Sequence, residues 1–599
     1  MHRLRKTRIV ATLGPAVDDY EMVKELITTG LNIARLNFSH GNHAEQKNRM
    51  DMVKQASEET GIPAAIMLDT KGPEIRTGKI ADGGTVTLHK GAEIIMTTEQ
   101  IEGDEHRISV SYDALPREVK PGGHIFIADG LLDIRVVRIE GTEIHCIVEN
   151  GGLLGSRKNV NVPGVKTSLP AITEKDRDDI LFGVEQGIDF IAASFIRKPE
   201  DIITIQELLA TVNASHVQII AKIEDQEGLD NIDEIIRVSN GIMIARGDLG
   251  VQLETEQIPL AQKRIISKCN RLNKPVITAT QMLDSMIYNP NPTRAELTDV
   301  ANAIFDGTDA VMLSGETASG KYPIRSVETL HRIAIEVENS NEYHERCLEY
   351  FSFHRATSDI GHSVAKAAYL TATDIDAAAI VTPTLHGNSP RILSKYRPRQ
   401  NIVAVTTSAV VQRQLLLNWG IFPILSDFVR DSEVMIQNAL RLALKHKYIQ
   451  KLDKVVTAAG IPVHSPLMLN TIKVHFMGNI IARGNQGSGK RVSGKIVKAD
   501  HPYEAASKLG FGDRQILVTR TWQENLRQLL PRLNAIVIEE AVPADLDILT
   551  TDVRGLVAIA DIAGVYETLE ESQFVSIDGD EKIIYEGVLE DNIDEGIML

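Results

Sequence analysis

The sequence predicts an α/β protein built on a (β/α)8 TIM barrel, and two observations carry this prediction. Short apolar runs that end in polar or charged residues recur between residues 8 and 316. Most consecutive runs end about 30 residues apart, which is the length of one βα unit. Amphipathic helical patterns lie between them, and strands separated by helices are typically parallel. Eight such runs are the number that closes a barrel of this kind.

Each predicted strand ends in a side chain that can take part in chemistry. The runs cover residues 8–14, 33–40, 64–70, 190–195, 219–221, 242–244, 275–281 and 310–316. Their ends fall near Thr12, Ser39, Thr70, Ser194, Lys222, Asp248, Thr280 and Ser314. Ligands bind at the carboxyl ends of parallel strands, so these residues should share one face of the barrel.

One step between strand ends is much longer than the others and contains a segment of different character. Within residues 73–170, the runs 85–88, 124–128, 134–139 and 144–148 resemble half-buried strands with glycine-rich turns between them. We predict a small β-barrel domain inserted into the main barrel on its catalytic face. In that position it would act as a lid that closes over substrate and excludes water.

The remaining chain predicts two further α/β units. A helical stretch at 325–348 precedes strands at 377–383, 401–405 and 454–460. A glycine-rich connector at 484–490 predicts another boundary, followed by a unit that ends in an acidic tail at 578–595. The predicted domains are a barrel (1–72 and 171–340), an inserted lid (73–170), an α/β regulatory domain (341–474) and an appended swivelling-type α/β domain (475–599).

Composition narrows the class of protein. A net charge of −17 with no basic block disfavours binding to nucleic acid or to a membrane surface. The three cysteines are scattered without metal-ligand spacing, which suits a reducing compartment. No apolar stretch is long enough for a signal region or a membrane span. We therefore expect a cytoplasmic protein.

The centre of the predicted site lies between residues 218 and 250, which read as strand, helix, strand. Lys222 and Glu224 are two residues apart at the end of the first strand, and Asp248 follows the second. Two carboxylates and an ammonium group at one strand edge can hold a hard divalent cation together with an anion. For any one of these residues a structural ion pair is the alternative, but three at matching strand ends favour a site.

Six motifs, in order, resemble the pyruvate kinase family. They are IARLNFSHG (33–41), LDTKGPEIRTG (68–78), AKIED (221–225), ARGDLG (245–250), TATQML (278–283) and LSGETA (313–318). The resemblance covers residues 1 to about 474, and the insertion lies where that family has its lid. The last part looks like the phosphoenolpyruvate-utilising domain that some bacterial members append.

The resemblance implies transfer of the phosphoryl group of phosphoenolpyruvate to ADP, giving ATP and pyruvate. Glu224 and Asp248 match the ligands of Mg²⁺ (or Mn²⁺), which would neutralise charge on the substrate oxygens. Backbone groups at Ala245–Gly247 match the site for the substrate carboxylate. Lys222 matches the lysine that stabilises the transferring phosphoryl group, and Arg35 matches an arginine that binds phosphate.

The resemblance also implies a K⁺ site. Asn37, Ser39, Asp69 and Thr70 match the family's ligands for this ion, although ordinary hydrogen bonding at strand ends is an alternative. Glu74 favours the K⁺-dependent type, because a lysine at that position would replace the ion.

Further positions match contacts to nucleotide and to the enolate. Asn37, His40, Arg76 and Lys158 match nucleotide contacts, and Lys158 lies on the lid. Thr280 and Ser314 match residues beside the enolate. A hydroxyl group is too weak an acid to protonate carbon directly, so we expect these two to orient a water molecule or a relay.

The third unit carries a predicted effector loop with the sequence TPTLHGNS at 382–389. Its hydroxyls, its glycine and the helix start behind it can form a phosphate cradle. The residues proposed to contact an effector are Thr382, Thr384, Gly387, Asn388 and Ser389. His386 stands where the family usually has serine, so the sequence does not choose among sugar phosphates and nucleotides. A capped helix without a ligand is the alternative.

The appended unit departs from its catalytic relatives. Those use a Ser-His pair, whereas the only histidine beyond residue 494 is His501, which has no neighbouring serine. The corresponding region reads IEEAVPADLD at 538–547. We predict that this unit does not carry phosphohistidine and instead stabilises structure or an interface.

Three functions remain at this point. The first is an active, K⁺-dependent, allosteric member of the family, expected to be a homotetramer. The second is a catalytically silent metabolite sensor, disfavoured because the reactive positions are intact. The third is a Mg²⁺-dependent enolate aldolase or lyase, disfavoured by the lid and by Arg76, since an aldolase needs no ADP site.

Overall fold

The computed structural model describes residues 4–353, 359–428, 430–461, 469–478, 480–510, 515–542, 553 and 555–586. Within these ranges the chain forms a closed barrel with one insertion, then a five-stranded sheet with helices, then an eight-stranded sheet. No helix in these ranges is long and apolar enough to cross a lipid bilayer.

Three buried strands begin the barrel. They are β1 (Arg8–Leu13), β2 (Ile33–Asn37) and β3 (Ala65–Asp69). The helices between them, α1 (Tyr20–Thr29) and α2 (His43–Thr60), begin after Asp19 and Asn42. Both of these side chains accept hydrogen bonds from free N–H groups of the first helical turn, which fixes where each helix starts.

The insertion contains the four strands predicted from the sequence and five more. Its elements are β4 (Ile75–Arg76), β5 (Val86–Leu88), β6 (Glu93–Thr97), β7 (Arg107–Ser109), α3 (Leu115–Glu118), β8 (His124–Ile127), β9 (Leu132–Glu140), β10 (Glu143–Asn150), β11 (Gly152–Leu154) and β12 (Asn159–Asn161). Seven strands form one sheet in the order β4-β12-β8-β9-β10-β6-β7, and β11 pairs with β5. Burial alternates along β10, as the sequence pattern predicts.

The second part of the barrel supplies the remaining strands and the helices around them. Its elements are α4 (Glu174–Glu185), β13 (Phe190–Ala193), α5 (Pro199–Thr211), β14 (Gln218–Ile223), α6 (Gln226–Asp230), α7 (Ile232–Val238), β15 (Gly241–Ala245), α8 (Arg246–Gln252), α9 (Ile258–Arg271), β16 (Val276–Ala279), α10 (Arg294–Phe305), β17 (Ala310–Leu313), α11 (Gly315–Ala318) and α12 (Pro323–Asn339).

The eight barrel strands close in the order β1-β17-β16-β15-β14-β13-β3-β2, with parallel pairing throughout. This confirms the predicted barrel. Its interior is filled by apolar side chains such as Phe190, Ile220 and Met243. Because the interior is packed, the charged residues can gather only at the strand ends.

The next unit is a helix-flanked sheet that touches the barrel. Its elements are α13 (Asn341–Phe353), α14 (Ile360–Asp374), β18 (Ala379–Thr384), α15 (Asn388–Lys395), β19 (Asn401–Thr406), α16 (Ala409–Leu415), β20 (Ile421–Leu425), α17 (Ser432–Lys445), β21 (Lys454–Ala459) and β22 (Thr471–Phe476), with sheet order β20-β19-β18-β21-β22. Ion pairs join it to the barrel, with Arg413 Nε 2.9 Å from Asp189 Oδ1 and Arg397 Nη1 3.0 Å from Asp309 Oδ1.

The appended unit contains β23 (Ile480–Arg483), β24 (Gln486–Ser488), β25 (Val492–Lys498), α18 (Pro502–Lys508), β26 (Gln515–Thr519), β27 (Ala535–Ile538), β28 (Val557–Ala560), α19 (Val565–Thr568), β29 (Phe574–Asp578) and β30 (Ile583–Glu586). The strands form one sheet in the order β23-β30-β29-β25-β26-β27-β28-β24.

The prediction that 484–490 connects two domains was wrong. Strand β24 lies in this segment and pairs with β28, because the glycines permit close strand packing instead of a free linker. Residues 543–547 of the segment that corresponds to the catalytic region of the relatives, and residues 587–595 of the acidic tail, lie outside the described residues.

Candidate active site

Lys222 occupies the centre of a charged cluster at the carboxyl ends of the barrel strands. It is the fifth residue of β14, and its ammonium group lies 3.1 Å from Asp69 Oδ1 and 3.1 Å from Glu224 Oε1. The same nitrogen donates a 2.7 Å hydrogen bond to Ser194 Oγ. Three barrel strand ends therefore hold one buried cation, as the spacing of the strand ends predicts.

The charges of this cluster reinforce one another. Burial opposes the charged form of Lys222, but Asp69 and Glu224 outweigh it and raise the pKa of the ammonium group. Burial also disfavours the charged form of Asp69 and by itself would raise its pKa. The positive charges of Arg35 and Lys222 outweigh this and hold the pKa of Asp69 below its usual value. Both groups are therefore ionised at neutral pH, and Lys222 is a fixed positive charge.

A second cation lies on the other side of Asp69. Arg35 Nε is 2.6 Å from Asp69 Oδ2, and Arg35 Nη1 donates to Thr12 Oγ1 at 2.8 Å. Asp69 thus orients both cations toward one strand edge. Two oriented cations in a water-poor cleft suit a phosphoryl group, whose charge is spread over several oxygens.

Glu224 and Asp248 form the acidic part of the site. Burial raises the pKa of Glu224 to about 8. The negative charge of Asp248 adds to this upward shift, and the positive charge of Lys222 opposes it. Asp248 lies in the first turn of α8 and not at the end of the strand itself, and limited solvation raises its pKa as well. A divalent cation between the two carboxylates would stabilise their charged forms and so offset the cost of burying each one. The pair therefore fits Mg²⁺.

The two carboxylates are too few to complete a metal shell by themselves. Among the described residues, no group of three or more histidine, cysteine, aspartate or glutamate side chains could hold a metal ion. Mg²⁺ characteristically binds through one or two carboxylates and takes its other ligands from water and substrate phosphate. The donor set therefore suits an ion that is shared with substrate.

The predicted carboxylate site lies where α8 begins, and Thr280 braces it. Gly247 N–H donates to Thr280 Oγ1 at 2.8 Å, and Thr280 Oγ1 donates to Ala279 O at 2.6 Å. Arg246 turns its side chain to Asp299 Oδ2, at 2.7 Å, and to Thr280 O, also at 2.7 Å. The Arg246 side chain is therefore engaged elsewhere, and only its backbone is available to the predicted carboxylate site.

Thr280 has a left-handed backbone with φ of 67°. For a β-branched residue this conformation is strained, and such strain persists where the surrounding structure enforces it. The hydrogen bonds with Gly247 and Ala279 hold Thr280 in this conformation. The strained turn directs the Thr280 hydroxyl toward the start of α8, so its first role in this structure is to shape the loop.

Ser314 differs from Thr280 in having an unused hydroxyl. Its backbone N–H donates to Glu316 Oε2 at 2.7 Å, which fixes the turn after β17. Its Oγ is buried and has no hydrogen-bond partner among the described residues. A buried polar atom without a partner costs stability, so a water molecule or substrate oxygen is the expected partner.

The residues predicted to bind K⁺ come from two neighbouring strand ends. Asn37 lies opposite Asp69 in the pairing of β2 with β3. Asn37 Oδ1 accepts the N–H of Ser39 at 3.0 Å, and Thr70 Oγ1 accepts the N–H of Ser194 at 3.0 Å. Amide, hydroxyl and carbonyl oxygens beside one carboxylate give the low total charge that suits a monovalent ion.

Glu74 forms ion pairs with two basic residues close to it in the sequence. Its Oε2 lies 2.7 Å from Arg76 Nη2 and 3.6 Å from Lys71 Nζ. Arg76 also donates to Arg157 O at 2.9 Å, next to Lys158. Because β4 pairs with β12, the lid brings Arg76 and Lys158 to one edge, while the exposed His40 lies on the barrel side.

The effector loop needs one correction. Thr382 is fully buried inside β18 and offers no exposed surface to a ligand, so the prediction that it contacts an effector is not supported. Thr384 Oγ1 accepts Gly387 N–H at 3.0 Å, and Gly387 has φ of 80° directly before α15. Asn388 and Ser389 form the first turn of that helix.

Sequence reasoning overlooked four residues that complete these sites. Ser194 binds Lys222, Thr12 binds Arg35, and Phe195 N–H donates to Glu224 Oε2 at 2.5 Å. Ser194 and Thr12 were already among the predicted strand ends, so the signal existed. The fourth, Arg391, donates to His386 O at 3.0 Å in the effector loop, and nothing in the local pattern separates it from a surface arginine.

Comparison with known proteins assigns the family. A family model described as pyruvate kinase, barrel domain, matches residues 4–327, which is more than half of the chain. The chain belongs to the pyruvate kinase family. A second model, pyruvate kinase, alpha/beta domain, matches residues 362–475. The protein is therefore an enzyme, a phosphotransferase.

Individual pyruvate kinases agree with this assignment. The enzyme of Geobacillus stearothermophilus is 44% identical over 588 residues, covering 97% of this chain and 99% of that protein. The pyruvate kinase of Clostridium acetobutylicum is 48% identical over 473 residues, covering 79% of this chain and 99% of its own. A solved pyruvate kinase from Cryptosporidium parvum superposes with a TM-score of 0.76 at 40% identity and covers 79% of this chain and 96% of its own. Pyruvate kinases thus occur both at nearly this length and in a shorter form.

Proposed function

We propose that this enzyme transfers the phosphoryl group of phosphoenolpyruvate to ADP, giving pyruvate and ATP. The observation that carries the proposal is the ammonium group of Lys222, fixed by Asp69, Ser194 and Glu224 at the mouth of the barrel. A preorganised cation at the point where charge moves between two oxygens is what phosphoryl transfer requires.

Each charged residue then has a defined part. Arg35 and Lys222 bind the phosphoryl oxygens from the barrel side, and the backbone of Ala245–Gly247 receives the substrate carboxylate. Glu224 and Asp248 hold Mg²⁺, which when bound neutralises charge on the phosphoryl and enolate oxygens. Lys222 stabilises the phosphoryl group during transfer because its point charge tolerates movement of the oxygens.

A proton must reach the enolate carbon after transfer. The unused Ser314 hydroxyl and the braced Thr280 hydroxyl lie at neighbouring strand ends, since β16 pairs with β17. We assign them to hold the water molecule that delivers the proton. Neither hydroxyl is acidic enough to act alone.

K⁺ and the nucleotide bind beside this centre. Asn37, Ser39, Asp69 and Thr70 hold K⁺, with Glu74 supplying the carboxylate typical of the K⁺-dependent type. Arg76 and Lys158 of the lid, with Asn37 and His40 of the barrel, bind the ADP phosphates.

A phosphorylated metabolite activates the enzyme through the loop before α15. Thr384, Gly387, Asn388 and Ser389 line this loop, and Arg391 adds a cation to it. Burial lowers the pKa of Arg391 to about 10, and its Nη2 has no hydrogen-bond partner among the described residues. A half-buried guanidinium without a carboxylate partner gains stability from a bound phosphate. The homotetramer, the cytoplasmic location and the absence of phosphohistidine chemistry in the appended unit stay predictions.

The experiment that tests this function measures pyruvate formation from phosphoenolpyruvate and ADP with Mg²⁺, with and without K⁺, across a panel of sugar phosphates and AMP. Turnover that requires K⁺ and responds to one phosphate ester supports the whole proposal. Turnover without an effector response leaves the effector loop as a structural turn. The absence of turnover under all conditions favours a silent metabolite sensor, and cleavage of a carbon–carbon bond favours an aldolase or lyase.

A further inference from the structure

One short loop after β13 touches both connections between the lid and the barrel. We call residues 194–197 the joint loop. The chain leaves the barrel through residues 70–74, the outgoing segment, and returns through residues 162–173, the return segment. Both segments contact the joint loop, although they lie about ninety residues apart in the sequence.

The return segment is held by Arg197. Its Nη1 donates to Thr167 O at 3.0 Å and to Thr167 Oγ1 at 2.6 Å, and its Nη2 donates to Leu169 O at 2.6 Å. The side chain is buried, and its backbone carbonyl accepts Asn231 Nδ2 at 2.8 Å. Three hydrogen bonds from one planar guanidinium fix two backbone positions of the return segment at once.

The outgoing segment is packed against the other end of the same loop. A Cβ placed on Gly72 would lie 2.8 Å from both Phe195 Cδ2 and Ser194 Cβ, so the two segments touch without a gap. Gly72 has φ of 74°, which a residue with a side chain adopts only with strain. Ser194 Oγ also donates to Thr70 O at 2.6 Å.

The inner side of the joint loop holds the reactive groups. Ser194 Oγ is 2.7 Å from Lys222 Nζ, and Phe195 N–H donates to Glu224 Oε2 at 2.5 Å. Phe195 has φ of 54°, so its amide is held in place by an unfavourable backbone conformation. The loop thus contacts the phosphoryl-binding lysine and a predicted metal ligand through adjacent residues.

We infer that the joint loop couples the position of the lid to the geometry of Lys222 and Glu224, and that Arg197 is the positioning residue that connects them. When the lid moves, the return segment pulls on Arg197, and the strained loop transmits this displacement to Phe195 N–H and Ser194 Oγ. Conversely, an ion that fixes Glu224 restrains the return segment. This inference rests on the proposed metal and nucleotide sites, and it adds a residue to which neither site assigns a role.

The coupling is reciprocal, so it can be measured without turnover. The full chain is titrated with Mn²⁺ alone, its affinity is measured by calorimetry, and amide hydrogen exchange is followed in residues 162–173. In the native protein, Mn²⁺ should slow exchange there severalfold. In Arg197→Lys, which cannot reach both carbonyls, Mn²⁺ should bind within about threefold of its native affinity while the slowing is lost.

Arg135→Lys is the matched control. Arg135 is a lid arginine whose Nε lies 2.7 Å from Glu149 Oε1, away from the joint loop. This variant should keep the native response to Mn²⁺. If Arg197→Lys does not fold, Thr167→Val tests the inference instead. This variant removes only the hydrogen bond from Arg197 to Thr167 Oγ1, so Mn²⁺ should slow hydrogen exchange in residues 162–173 less than in the native protein.

Steady-state kinetics give an independent readout. Arg197→Lys should raise the KM for ADP about tenfold while changing kcat much less, since the lid contacts to nucleotide loosen and Lys222 remains. Retention of the full Mn²⁺ response in this variant, or its absence in the native protein, would overturn the inference. A native protein that shows the Mn²⁺ response but no turnover would refute the proposed function and leave the joint loop intact.

Discussion

The backbone amide of Phe195 lies 2.5 Å from Glu224 Oε2, and Phe195 itself has a left-handed backbone. A carboxylate with a raised pKa is thus oriented by a residue that pays a conformational cost to hold it. The backbone therefore holds this carboxylate in place without substrate. Preorganisation of this kind is the main source of electrostatic catalysis.

Replacement of Lys222 by methionine should lower kcat about 10³-fold, because the variant keeps the shape of the side chain and loses its charge. Phosphoenolpyruvate should still bind through Arg35 and the backbone of α8. Pyruvate formation and a direct binding titration would measure the two effects. The control is Lys47→Met, which removes an exposed ion pair with Asp51 on α2. Near-native turnover in Lys222→Met would exclude the assigned role.

Replacement of Glu224 by glutamine should weaken activation by Mg²⁺ about 100-fold. The amide oxygen can still accept from Phe195 N–H, so loss of the charge is the principal change. Activity is measured as a function of Mg²⁺ concentration at saturating substrates. Glu227→Gln, on the neighbouring helix α6, should behave as the native enzyme does. An unchanged Mg²⁺ requirement in Glu224→Gln would contradict the metal site.

Replacement of Glu74 by lysine should weaken or abolish the requirement for K⁺, because the ammonium group supplies the missing positive charge. Activity is measured in K⁺ and in a tetramethylammonium salt at equal ionic strength. Glu74→Lys both removes a carboxylate and adds a cation, and Glu74→Gln separates these two changes. It removes the carboxylate beside Arg76 without adding a cation, so this variant should remain K⁺-dependent. Equal dependence in the native and lysine enzymes would count against the site.

Replacement of Arg391 by methionine should reduce the activation ratio by a phosphorylated effector toward one. The guanidinium is half-buried, and its Nη2 has no hydrogen-bond partner among the described residues, so its loss removes the strongest attraction for phosphate in the loop. Arg391→Lys should restore part of the response, and Lys395→Met on the same helix should leave most of it. Rates are compared with and without the effector found in the panel. A full response in Arg391→Met would remove this residue from the effector site.

The ion pair between Asp189 and Arg413 predicts a dependence of stability on pH. Burial raises the pKa of Asp189 to about 6, although Arg413 opposes this shift. The folded protein therefore holds a proton that the unfolded chain releases near pH 4, so this group stabilises at low pH and its contribution is lost as pH rises toward 6.

Asp189→Asn tests this dependence because the amide keeps the shape of the side chain and does not titrate. The melting temperature of the native protein minus that of the variant should fall between pH 4 and pH 6 and be flat above. One such group changes the free energy of unfolding by at most about 1.4 kcal/mol per pH unit. A difference that rises with pH over this range would show that the ion pair, and not burial, dominates.

The eight barrel strands and the central charged residues could be predicted from the sequence. A buried parallel strand reads as a short apolar run, and the carboxyl ends of such strands meet at one edge whatever the surrounding helices do. Lys222, Glu224 and Asp248 could therefore be placed together without coordinates. The family motifs then assigned chemistry to them.

Only the tertiary structure decided which of the remaining residues face a ligand and which are buried. Thr382 and Thr384 lie on the same face of β18. Thr384 ends the strand and is partly exposed, whereas Thr382 is buried because it lies two residues inside the sheet. The segment 484–490 reads as a linker but pairs within a sheet. Arg197 reaches Thr167 and Leu169 only because β13 and the lid connection meet in space. Sequence periodicity reports local burial, whereas contacts between distant segments depend on how the whole chain packs.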